Sequence, residues 1–256
     1  MLLTTVILVL RETLEATLIV SVLLAWSVLH GRGRGWAGVA LLLGVAGAGL
    51  YAACAATVSE WFDFVGMEIV NAAMHFTICA ALVVLAARPE ARVIGMCSML
   101  LAGALAVVRE GFEIVLYLWG FVADHGAWAV VSLGSALGAG IGIATGVLLF
   151  YLLVGMRRSR AWRLTQVLIA LFAGNMAAQG VLLLIQADWV SGGMPLWNTS
   201  CLLAEDGVVG QLLYALIGYE ATPSAWQAGA YAAVFGLVLW LFRYYPVRTD
   251  AAGSGN

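Results

Sequence analysis

The sequence predicts an all-α integral membrane protein of seven transmembrane helices, N-terminus outside and C-terminus inside, built as an inverted repeat of three plus three helices with one extra helix. Three observations carry that prediction. The chain is 63% hydrophobic and 10% charged, with a mean hydropathy of +0.99. That balance excludes an ordinary soluble domain and leaves little sequence outside a bilayer. All twelve basic residues are Arg, and apart from Arg11 and Arg109 they fall in alternate connections between apolar runs. A shift of 98 residues lays Arg11-Glu12-Thr13-Leu14-Glu15 over Arg109-Glu110-Gly111-Phe112-Glu113 and carries Gly44, Ala46 and Leu50 onto Gly142, Ala144 and Leu148.

The spans follow in order. Met1 to Leu10 is apolar but lacks a basic flank and runs straight into Arg11-Glu12. It reads as the first half of a retained helix, roughly 2–29, and not as a cleaved signal. Further apolar runs cover roughly 36–58, 65–87, 93–122, 128–154, 162–187 and 225–243, each near or above the length of about 20 residues that crosses a hydrocarbon core. Arg32 and Arg34, Arg88 and Arg92, the group Arg157, Arg158, Arg160 and Arg163, and finally Arg243 and Arg248 mark one side. The other connections hold Glu60, Asp63, Asp124, Asp188, Glu205, Asp206 and Glu220 without any Arg. The positive-inside rule makes the Arg side cytoplasmic. Trp26, Trp36, Trp162 and Trp240 near inner ends, and Trp61, Trp119, Trp128, Trp189, Trp197 and Trp226 near outer ones, read as two aromatic belts. One transmembrane domain over roughly 1–245 results, with repeats at about 1–92 and 93–188, an outer loop over 188–224, the seventh helix, and a short tail over 246–256. Small residues recur every fourth position at Gly44, Ala48, Ala52 and Ala56 and at Gly134, Gly138, Gly142 and Gly146, stripes that let helices pack closely within the fold or between protomers.

The paired motif needs a reason to exist at this depth, where one ionisable group costs about 2.5–3.5 kcal/mol. Residues three and four apart share a helix face, so Arg11 can pair with Glu15 while Glu12 and Glu15 lie on one side, and the second copy repeats this. Because the repeat is inverted, the two motifs fall at one level. Four carboxylates, Glu12, Glu15, Glu110 and Glu113, would converge there and offer oxygen to a hard cation, with Arg11 and Arg109 limiting their repulsion. A structural reading, Arg11 with Glu15 and Arg109 with Glu113 as ion pairs holding the bundle, leaves Glu12 and Glu110 unassigned. Proton pathways also use buried Glu.

Other residues carry weaker signals. Glu68, Asn71 and His75 share a face of the third span, where Glu68 is either an entry point or a helix-end acid favoured by the dipole, and His75 either a ligand or a hydrogen-bonded interior group. Asn175 and Gln179, with Gln186 further along, fall on about one side of the sixth span and would line a hydrated path or bond neighbouring helices. Asp188, Glu205 and Asp206 belong to a long acidic outer connection that would attract cations or simply be solvated. That connection also contains the apolar run 208–217, too short to span, which lies at the interface or folds back over the entry. Met96, Cys97 and Met99 would suit copper(I) but equally fill apolar space. Cys54, Cys79, Cys97 and Cys201 show no zinc or disulfide spacing. Of His30, His75 and His125 only His75 lies within a span, so a membrane redox enzyme with paired-histidine haem ligation is poorly supported.

Two Arg-Glu-x-x-Glu motifs in separate membrane helices resemble the oxidase-dependent iron permease family, which includes fungal high-affinity and bacterial EfeU-type permeases. Glu68, the segment Leu196-Trp197-Asn198-Thr199-Ser200, Glu205-Asp206, Gly218-Tyr219 and Pro223-Ser224 also resemble its bacterial branch. The resemblance implies a multi-pass inner-membrane transporter, not an enzyme, with no cofactor of its own. It implies iron as the transported substrate, ferric and delivered by an extracytoplasmic oxidase or iron-binding subunit. The apolar composition makes the lipid bilayer its surroundings and gives nucleic acid no part in its function, and it leaves an oligomer open. Carriers of lead, manganese or protons on the same fold stand as alternatives.

Overall fold

The computed structural model describes residues 2–125, 128–203 and 207–245, and these are helical apart from their connections. The helices are α1 (Leu2–Leu29), α2 (Gly35–Ser59), α3 (Trp61–Phe64), α4 (Gly66–Ala87), α5 (Arg92–His125), α6 (Trp128–Gly155), α7 (Arg158–Gln186), α8 (Val208–Ile217) and α9 (Ala225–Tyr244). Among the described residues, six helices are long and apolar enough to cross a membrane: α2, α4, α5, α6, α7 and α9. The protein is therefore a multi-pass membrane protein. The 28-residue α1, which carries Arg11, Glu12 and Glu15 in its first half, is not one of those six.

Packing pairs the helices in a regular way. α1 lies along α6, α2 along α5, and α4 along α7, while α9 closes on α7. The small-residue stripe of α6 explains the first pair. Gly134, Gly138, Gly142 and Gly146 face Thr5, Val9, Thr13 and Thr17 of α1, and the Thr17 hydroxyl donates to the Gly142 carbonyl at 3.1 Å. A Cβ on Gly138 would stand 2.6 Å from the Val6 carbonyl oxygen and 2.9 Å from the Leu10 amide nitrogen. Both are backbone atoms that cannot step aside. Gly138→Ala should therefore cost about 1–3 kcal/mol by forcing the helices apart, and an unchanged unfolding midpoint in detergent would refute this account of the contact. On α2, Gly44 faces Val107, and Ala48 sits against Gly111 of α5. Ala52 is half-buried and Ala56 exposed, so this stripe leaves its helix partner part-way along.

Two connections differ from simple turns. Between α2 and α4, Phe62, Asp63 and Phe64 have φ of 53°, 63° and 70°, a left-handed turn that costs about 1–2 kcal/mol per residue and was not legible from residue types. The chain then turns back at Gly66, where a Cβ would run into the Val58 carbonyl oxygen, so only glycine fits. Between α7 and α9, the apolar run 208–217 forms α8, which packs on α1 and α7. Gly218 ends it in the left-handed conformation.

At the Arg-rich end, the Arg158 guanidinium donates to the Leu29 carbonyl at 2.9 Å and that of Arg32 to the Pro89 carbonyl at 2.6 Å. These cations satisfy carbonyls at or just past helix C-termini. Trp26, Trp162, Phe242 and His30 form an aromatic knot between α1, α7 and α9. Burial there, with Arg32 and Arg158 nearby, pushes the His30 imidazole down to about 4, so it is neutral at pH 7 and its Nδ1–H donates to the Trp26 carbonyl at 2.8 Å.

Candidate metal centre

α5 packs against α1, and the helical spacing turns both motifs into the contact. Glu12, Glu15, Arg109 and Glu110 are buried, at 4%, 3%, 7% and 2% exposure. The side chains of Arg11 and Glu113 are 37% and 36% exposed. These two form the open side of an otherwise enclosed cluster.

Arg109 is the hub. One guanidinium nitrogen pairs with Glu15 at 3.1 Å and with Glu110, and the other pairs with Glu113 at 3.0 Å. Arg11 stays on its own helix, 3.4 Å from Glu15 and 4.0 Å from Glu12. Glu15 thus accepts from both Arg residues and has no oxygen to spare. Glu12, Glu110 and Glu113 differ. One carboxylate oxygen from each lies within 4.8 Å of the others, and Glu12 Oε2 and Glu110 Oε2 are buried without a hydrogen-bond partner. Three oxygens sharing one first-row ion at bonds of about 2.0–2.2 Å stand about 3–4.4 Å apart, so the carboxylates would close in around a shared cation. Four carboxylates against two guanidinium groups also leave two negative charges uncompensated when all are ionised. Of the four Glu expected to share the ion, Glu12, Glu110 and Glu113 bring oxygens together here, while both oxygens of Glu15 face Arg residues.

The remaining expected residues surround this cluster unevenly. Glu68, in the first turn of α4, is half-buried, with Oε2 lacking a partner. Asn71 Oδ1 accepts from the Tyr51 hydroxyl at 3.3 Å. Tyr51 packs against Phe112 with ring centroids 4.0 Å apart and planes tilted by 35°, and lies within electrostatic reach of both Glu113 and Glu68. The sequence offered no signal for it. His75 is fully enclosed at 1% exposure, its Nδ1–H donating to the Asn71 carbonyl at 2.8 Å and its Nε2 unpartnered. It feels the Arg109 charge but is not one of the three clustered ligands. Asn175 and Gln179 are buried on α7, each with one unpartnered amide atom, and Asn175 lies against Gly218. Asp188 is exposed with φ of 57°, remote in sequence from both motifs. Glu205 and Asp206 lie outside the described residues. A second residue absent from the sequence reading is Tyr214 of α8, whose ring centroid lies 4.7 Å from the Arg11 guanidinium carbon.

Residues 88–245, more than half of the chain, match the model of the iron permease FTR1 family. The chain belongs to that family. The matched stretch includes the second motif. Among family relatives, the ferrous iron permease EfeU of Escherichia coli O6:H1 is 25% identical over 276 aligned positions covering 97% of both chains, and so spans both motifs. The ferrous iron permeases EfeU of Shigella flexneri and Shigella sonnei are 27% and 26% identical over 151 positions, covering 58% of this chain and 63% and 54% of theirs. No solved structure matches this iron permease family chain.

Proposed function

We propose that the protein moves iron across the inner (plasma) membrane, binding it between Glu12, Glu110 and Glu113. The observation that carries this reading is the enclosed carboxylate triad, with unpartnered oxygens at Glu12 and Glu110, in a chain of the iron permease family. A buried unpaired carboxylate oxygen is costly unless something fills the role of partner, and a transported cation does so.

In this reading α1 joins the six apolar helices as a seventh span, with its charges turned onto α5 and α8 instead of lipid. The Arg residues in alternate connections support an outside N-terminus and inside C-terminus. An inverted repeat is supported by the pairing of helices: α1 on α6 is matched by α5 on α2, and α4 on α7 maps onto itself. Iron enters past Glu68 and Tyr51 toward half-exposed Glu113, with Asp188 and the acidic loop raising its local concentration. It displaces the Arg109 contacts to Glu110 and Glu113, and leaves as Arg109 returns. Arg109 keeps the ion from being held too tightly, since a permeation site must also release. The buried amides Asn175 and Gln179, with His75, line the polar interior around this route.

The relatives' name, ferrous iron permease, favours the divalent ion at the site. A second reading, ferric iron handed over by an extracytoplasmic oxidase, is favoured by the all-oxygen donor set. Uptake of radiolabelled iron by proteoliposomes, offered as iron(II) under argon or as iron(III) citrate, tests both. Saturable uptake of one form, resisted poorly by lead or manganese at equal concentration, is the expected result. Uptake no faster than in empty vesicles for either form, or lead or manganese displacing iron completely, would overturn iron transport as the function.

A further inference from the structure

The two motif arginines begin from matching positions and end differently. Arg109, with a side chain 9% exposed, reaches across to Glu15 as well as to Glu110 and Glu113. Arg11, 37% exposed, pairs among the described residues only within α1, although Glu113 lies within its electrostatic reach. Besides these pairs it meets the Tyr214 ring, with the guanidinium carbon 4.7 Å from the centroid, a cation–π geometry. Tyr214 comes from α8, which belongs to neither half of the repeat.

Nor is α8 a loose loop. Its C-terminal Gly218 is left-handed and fits against Asn175, where a Cβ would stand 2.5 Å from Oδ1. The Tyr231 hydroxyl donates to the Ile217 carbonyl at 2.7 Å, and that of Tyr219 to the Leu203 carbonyl at 3.1 Å. Leu196 and Thr199 amides donate to the Pro223 and Ala221 carbonyls at 2.8 and 2.9 Å. The segment therefore presents Tyr214 to Arg11 from a fixed base.

We propose that Tyr214 is a positioning residue for the cation site, its ring holding the Arg11 guanidinium aside at the mouth so that Glu12, Glu110 and Glu113 stay open to an incoming ion. This rests on the triad being the iron site. An Arg11 released from the ring has the unpartnered oxygen of Glu12 and the half-exposed Glu113 before it. A second tethered cation would then occupy two of the three ligands, in addition to Arg109. Asymmetry between the motifs is thus imposed by a helix outside the repeat, and it leaves Arg109 alone to exchange with the ion.

Equilibrium binding of radiolabelled iron(II), under argon, to detergent-purified protein tests the assignment. Tyr214→Leu should weaken binding about tenfold while Tyr214→Phe, which keeps the ring, stays within about twofold. In an Arg11→Gln background, Tyr214→Leu should add nothing, because the ring then has no guanidinium to hold. Should the Leu variant fail to fold, Tyr214→Met provides the same comparison. Equal losses in the Phe and Leu variants would assign the role to the hydroxyl and overturn the proposal, as would full additivity with Arg11→Gln. Glu110→Gln is run alongside. If it leaves binding intact, the triad itself is wrong; if it abolishes binding while Tyr214→Leu does not change it, only the Tyr214 role fails.

Discussion

Changing Glu110 to Gln is expected to lower iron uptake at limiting iron by about a hundredfold or more, because ligand charge sets affinity over several decades in oxygen-donor sites. The substitution keeps the size of the side chain and removes one of three charges facing the ion. It also spares the fold, since Arg109 keeps Glu15 and Glu113 as partners. Glu12→Gln and Glu113→Gln should behave alike, the latter with a larger effect on entry because Glu113 is the exposed member. Glu15→Gln is the informative contrast. Its oxygens are taken by Arg11 and Arg109, so its loss should shift Arg109 onto Glu110 and Glu113 and weaken uptake only about tenfold, by competition and not by removal of a ligand. Equal losses at all four positions would return the site to four equivalent ligands. Full activity in Glu110→Gln would remove the triad from the mechanism.

The helices were legible because a bilayer imposes a simple rule on sequence. Runs of about 20 apolar residues have few alternatives, and the observed ends of α1, α2 and α4 fall within about two residues of those read from hydropathy. The glycine stripe of α6 was legible as close packing but not as to its partner, since spacing says which face is small and not which helix fills it. The motif gave the identity of the charged residues for a local reason: i, i+3 and i+4 positions share a face in any helix. Division of labour among the four Glu was not legible. It depends on Arg109 crossing to Glu15 while Arg11 stays on its own helix beside Tyr214, about a hundred residues beyond the second motif. Tyr51 is a similar case, an ordinary aromatic in an apolar span until α4 brings Asn71 to its hydroxyl.

Replacing Arg109 by Met should have the largest effect on the protein without iron. The side chain is enclosed and touches three carboxylates on two helices, so its removal strips the compensating charge from Glu15, Glu110 and Glu113 together. Breaking a buried ion pair from one side costs about 3–5 kcal/mol, and here one side chain serves three partners. The unfolding midpoint in detergent should therefore drop well below that of the native protein. The same argument makes the loss reversible. A multivalent cation at the triad supplies the charge that Arg109 supplied, and ligand bound only to the folded state stabilises by mass action. Iron(II) should thus raise the midpoint of the Met variant more than that of the native chain, in which the ion must first displace the guanidinium. Arg109→Lys should fall between them, since one ammonium keeps the charge but cannot bridge three carboxylates with a planar fork. A Met variant as stable as the native protein in the absence of metal would show that Arg109 is not the resident counter-ion. A large loss that iron fails to repair would separate its structural role from any exchange with the transported ion.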